Sequence, residues 1–99
     1  MNSKTLLSPH TITQAASVIS GTPINVIRGR SRAASVVAVR DLCIKICKDH
    51  VFSADREIAV AFGKERSTVC VVLKRVKKNL LLRNQYRLML ELVEEELGL

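Results

Sequence analysis

Residues 62–78 read Phe-Gly-Lys-Glu-Arg-Ser-Thr-Val-Cys-Val-Val-Leu-Lys-Arg-Val-Lys-Lys, and they restrict the fold more than any other stretch. Gly63 stops one helical pattern, and a second begins almost at once. Val69, Val72, Leu73 and Val76 fall at i, i+3, i+4 and i+7, which is one apolar stripe of a helix. The opposite face then carries Ser67, Val71, Lys74 and Lys78. Lys64, Glu65, Arg66, Ser67 and Thr68 lead into the helix, where a helix entering a DNA groove presents its reading residues. Helix, glycine turn, then a polar and basic helix predict a helix-turn-helix.

The segments before it also read as helices. Ser8-Pro9 is a cap followed by Pro at the first helical position. Ile12, Ala15, Ala16 and Ile19 give a short helix that ends at Gly21. Thr22-Pro23 repeats the cap signal, and Ile24 and Ile27 suggest one further turn. Arg28-Gly29-Arg30-Ser31-Arg32 is a flexible loop with three arginines in five residues. A charge run is usually a solvated face, but the overall charge favours contact with phosphates or a minor groove. Residues 35–49 are rich in Val and Ile, yet their length and polar side predict a helix. Val36, Val39, Cys43, Ile46 and Cys47 are its buried face, and Asp41 with Lys45 is an i,i+4 ion pair. Ser53 is expected to cap the next helix, with Asp55 and Glu57 at the positive end of its dipole. Ile58, Ala61 and Phe62 point inward from that helix, and Gly63 ends it.

After Lys78 no Pro or Gly interrupts the pattern until Gly98. Leu82, Tyr86, Met89 and Val93 form one stripe, continued by Leu97. Leu81, Leu88 and Leu92 form another beside it. Together they cover about 200° of the helix, twice what one packing surface needs. The expectation is a homodimer through Leu82, Tyr86, Met89 and Val93. The competing account has the helix capping its own core.

The expected organisation is one all-α domain, a small helical bundle. Residues 1–8 are frayed, 9–79 form the helix-turn-helix unit, and 80–99 form a C-terminal helical extension. Hydrophobic residues make up 47% of the chain and only three residues are aromatic, so the core must be aliphatic. The formal net charge is +7, which favours a polyanionic partner. All sixteen Lys and Arg but only five of nine acids lie in residues 1–90, a net of +11. Glu91, Glu94, Glu95 and Glu96 are expected to face away from nucleic acid.

Three cysteines without a disulfide-framework pattern suit a reducing compartment. No secretory signal or membrane-length apolar run occurs. A cytoplasmic, nucleoid-associated protein with no membrane partner is therefore expected. Cys43, Cys47 and His50 share one helix face and could form half of a zinc site. The same face carries Val39 and Ile46, so buried cysteines acting as small hydrophobes are the preferred reading, with no metal or other cofactor. No nucleophile motif or paired-carboxylate pattern stands out, so a binding protein is expected rather than an enzyme.

From about Ile12 to Lys78 the sequence resembles the C-terminal DNA-binding domain of DnaA, the bacterial replication initiator. That family has a basic loop, a helix opening with Arg, an Ala-Phe-Gly turn, then roughly G-R-D-H-[S/T]-T-V. Here Arg28, Arg30 and Arg32 form the loop and Arg40 opens the helix. Ala61-Phe62-Gly63 form the turn, and Lys64-Glu65-Arg66-Ser67-Thr68-Val69 follow. The resemblance implies a Trp-repressor-like helix-turn-helix. It implies Arg32 in a minor groove, Arg40 on the DNA backbone, and Glu65, Arg66, Ser67 and Thr68 in the major groove. Glu65 and Arg66 replace the family's Asp and His, which implies different base preferences, because Glu accepts from cytosine and Arg binds guanine. No G-x-x-x-x-G-K-[S/T] segment occurs, so the initiator's ATPase module is missing.

The pairs Lys74-Arg75 and Lys77-Lys78 are expected to meet phosphates. These features favour sequence-specific binding of double-stranded DNA by a regulator of transcription or replication. The alternatives are a protein-interaction module of the replication or transcription machinery and a nucleoid-type protein without sequence preference.

Overall fold

The computed structural model describes residues 7–52 and 54–99. Six helices follow one another: α1 (Pro9–Ser20), α2 (Ile24–Ile27), α3 (Ala34–His50), α4 (Asp55–Phe62), α5 (Arg66–Leu82) and α6 (Asn84–Glu96). The all-helical fold is as expected.

α1 begins with a reciprocal cap. The Ser8 hydroxyl accepts from the Thr11 backbone N–H at 3.2 Å, and the Ser8 N–H donates to the Thr11 hydroxyl at 2.9 Å. Residues 1–6 of the expected frayed segment lie outside the described residues, as does Ser53; the N-cap position of α4, expected to be Ser53, is held by Ala54, with no side-chain cap. The second expected cap is different. Pro23 itself occupies the N-cap position of α2, and no side chain caps that helix.

α3 is the central helix and packs against α1, α2, α4 and α5. The sequence face expected to be buried is buried, and Leu42 and Ile44 join it. Cys43 and Cys47 are fully enclosed in this core, and His50 at the helix end is exposed. Burial pushes both thiols up to about 12, the Cys43 thiol further loaded by its neighbour Cys47. They behave as apolar packing groups.

The ion pair expected between Asp41 and Lys45 does not form. Asp41 is buried and takes a two-pronged contact from Arg75 of α5, Nε to Oδ2 at 2.8 Å and Nη2 to Oδ1 at 3.1 Å. Lys45 pairs instead with Asp49. A buried carboxylate needs a charged donor at full geometry, and a planar guanidinium supplies two parallel bonds where an ammonium supplies one. The two side chains differ in exposure, 45% for Arg75 and 3% for Asp41, so removing one is not equivalent to removing the other. Arg75→Met strands a buried carboxylate and should cost about 2–3 kcal/mol. Asp41→Ala leaves an arginine that reaches water and should cost about 1 kcal/mol. Urea unfolding of the two variants measures the difference, and equal losses would contradict this account.

The C-terminal region departs most from expectation. A continuous helix over residues 66–97 would be about 48 Å long, longer than the 37 Å greatest extent of the molecule. The chain breaks at Arg83, which adopts extended backbone (φ −127°, ψ 111°) between α5 and α6. α6 turns back against α1 and α5. Tyr86 and Val93 are buried in the common core, with Met89, Leu90 and Leu97 packed at its edge. The Tyr86 hydroxyl donates to the Ala38 carbonyl at 3.3 Å. The stripe expected to hold a partner copy is therefore consumed internally, except Leu82, which is exposed. A 99-residue domain needs this additional burial.

Candidate nucleic-acid interface

α4 and α5 pack directly against each other. Gly63 ends α4 in the left-handed region (φ 64°) and lets the chain pass into α5 within three residues. Inside α4, Ala59 takes the buried position expected of Ala61, which is only half-buried. The α5 pattern is as read from sequence. Val69, Val72 and Val76 are buried, Leu73 is half-buried, and Ser67, Val71, Lys74 and Lys78 all face solvent. Glu65 is the N-cap residue of α5 and makes no side-chain cap. By helix geometry the first N–H groups of α5, those of Arg66 and Ser67, point out of the helix start, and the dipole makes that end positive. Arg66, Ser67 and Thr68 are exposed around it.

The basic loop after α2 is held by two arginines, one tying it to α4 and one to α3. Arg28 donates from Nη2 to the Ala61 carbonyl at 2.8 Å, and its guanidinium carbon lies 5.5 Å from the centre of the Phe62 ring. A cation is favoured there twice, by the negative end of the α4 dipole and by the ring face. Arg40 is the second tie. It reaches back from α3 and donates from Nε to the Ile27 carbonyl at 2.6 Å, from Nη1 to Ser31 at 3.0 Å and from Nη2 to Val26 at 3.3 Å. Gly29 sits so close to the preceding turn that an added Cβ would lie 2.9 Å from the Asn25 carbonyl oxygen, which only a backbone shift could relieve.

These ties leave Arg30 and Arg32 exposed at the tip of a held loop. The loop, the Gly63–Lys64 turn and one flank of α5 enclose an open cleft of about 730 Å³. Arg28, Arg30, Arg32, Lys64 and Thr68 all line it, together with Arg40 in its wall. Ser67, Val71, Lys74 and Lys78 present the outer face of α5, and Glu65 and Arg66 are exposed at its start. The sites read separately in the sequence are thus brought together in space.

No protein family and no curated protein matches the chain. The likeness to the DnaA domain therefore rests on the residues and spacings quoted above. Three cations expected at the DNA have structural work here that the sequence did not reveal, the first being Arg28 with its bond to Ala61. Arg40, expected on the DNA backbone, is only 6% exposed and spends its guanidinium on the Val26 and Ile27 carbonyls of α2 and the Ser31 carbonyl of the loop. Arg75, expected among the phosphate contacts of α5, lines the cleft but is engaged by Asp41. Positions 41 and 75 are far apart in sequence, and no local pattern signals their pairing. Among the described residues, no three His, Cys, Asp or Glu side chains lie together as a metal site, and no helix is long and apolar enough to cross a membrane.

Proposed function

We propose that this protein binds duplex DNA through α5 and the 28–32 loop, as a sequence-specific regulator of transcription or replication at the nucleoid. One observation carries the reading: the exposed Arg30 and Arg32 share a cleft with Lys64 and Thr68 at the positive start of α5. With α5 in a major groove, Arg66, Ser67 and Val71 meet base edges, and Val71 offers a methyl contact to thymine. Lys74 and Lys78 follow the phosphates, and the loop arginines reach the flanking backbone or minor groove. The four acids of residues 91–99 all lie on α6, a helix with no part in this cleft.

With roughly six phosphate contacts, log affinity should fall against log salt with a slope near −5. Titration of a labelled duplex between low and moderate salt measures this, and an affinity indifferent to salt would remove DNA as the main partner. Selection of bound duplexes from a random pool identifies the site, and an unselective pool would favour a nucleoid-type protein.

Two groups of substitutions should then separate. Arg66→Ala or Ser67→Ala should cost about 1–3 kcal/mol on the selected site and relax base preference there. Lys74→Ala or Lys78→Ala should weaken all sequences alike and reduce the salt slope by about 1. Unchanged preference and affinity in Arg66→Ala would move the reading surface elsewhere.

A further inference from the structure

A second depression lies on the flank of α5 opposite the basic cleft, between the ends of α3 and α5. It encloses about 540 Å³. Leu73, Leu80 and Leu81 give it an apolar floor and lip, Leu81 being 73% exposed. Lys45, Lys48, Lys77 and Arg87 surround it. Asp49 also lines it and is paired with Lys45, and Lys48 is paired with Asp55. Among the described residues Lys77 and Arg87 have no acidic partner. The groove therefore suits an amphipathic helix with leucines along one face and acids beside them.

α6 has that pattern on its outer side. Leu88 and Leu92, one turn apart, are 55% and 48% exposed. Glu91 and Glu95 flank them and are exposed. The inner face of α6 is fixed in the core by Tyr86 and Val93, so the outer face points away from its own domain and cannot fill its own groove. We propose that a second copy of this chain fills it. The outer face of α6 of one protomer seats Leu88 and Leu92 over the floor of its partner's groove, with Glu91 and Glu95 against the basic rim. The contact is made reciprocally about a twofold axis. A single helix-in-groove contact is small for a stable association, and twofold symmetry makes it twice and closes the assembly. Ser67 and Val71 sit near the start of α5 and about 120–160° around the helix from Leu73, so the start of the recognition helix stays open in the dimer.

Charge reversal tests this surface independently of DNA. One variant carries Lys45→Glu with Lys77→Glu, and a second carries Glu91→Lys with Glu95→Lys. Sedimentation equilibrium at tens of micromolar should give a dimer for the wild type and a monomer for each variant alone, because each variant sets like charges against one another at both contacts. An equimolar mixture should regain the dimer, because both contacts of the heterodimer are again complementary. Where a double variant loses its helical circular dichroism, the single changes Lys77→Glu and Glu91→Lys take its place. A monomeric wild type, a variant that stays dimeric, or a mixture that stays monomeric overturns the proposal. A wild type that is monomeric yet binds an acidic amphipathic peptide overturns it in favour of a foreign partner.

Discussion

Arg40→Met should destabilise the domain by about 3–4 kcal/mol, with the loss visible in urea unfolding before any DNA is added. The aliphatic replacement preserves most of the packing and removes three charge-assisted hydrogen bonds, those to Val26, Ile27 and Ser31. The three carbonyls lie where α2 runs into the basic loop, so their release also frees Arg30 and Arg32 from their place beside α5. DNA affinity should therefore fall together with stability, although Arg40 itself touches no DNA in this account. Arg40→Lys should recover little, because one ammonium cannot reproduce a planar fork that spans three acceptors. An Arg40→Met protein of unchanged stability but weakened binding would return Arg40 to the role implied by the DnaA resemblance, that of a direct backbone contact.

Tyr86→Glu should cost about 4–5 kcal/mol, a large part of the stability such a domain has. Tyr86 is 6% exposed and lies in the main core. Burial raises its phenol above the usual range, and the nearby Asp41 charge adds to the shift. A carboxylate placed there would be desolvated and would meet a second buried acid. Thermal or urea unfolding should show the domain largely lost, whereas Tyr86→Phe should cost only about 1 kcal/mol for the bond to Ala38. Leu88→Glu, on the outer face of the same helix, should change protomer stability by no more than about 0.5 kcal/mol. A Tyr86→Glu protein that stays folded would mean that α6 does not close the core and that its first stripe is free for another chain.

The sequence alone determined the elements whose signals are local. The apolar spacing of Val69, Val72 and Val76 and the glycine at 63 defined the turn and the start of α5. Which face of α5 meets solvent follows from 3.6-residue periodicity, which the chain carries in its own order. Ser8 followed by Pro9 marked the start of α1, whereas the reciprocal bond from Thr11 was seen only in the structure. Tertiary structure decided what the long-range partners were. Asp41 was four residues from a lysine and took an arginine from another helix, because a buried carboxylate gains more from a two-pronged guanidinium than from a single ammonium. Arg40 read as a surface cation because its type and place in the motif suggested one. It became an internal strut because the α2–α3 connection leaves carbonyls that must be satisfied. The break at Arg83 had no Pro or Gly to announce it. It arises because the apolar stripe of Tyr86 and Val93 gains more by closing over α1 and α5 than by continuing into solvent as part of one long helix. Periodicity fixes which side chains share a face, but only the packed chain determines what that face covers.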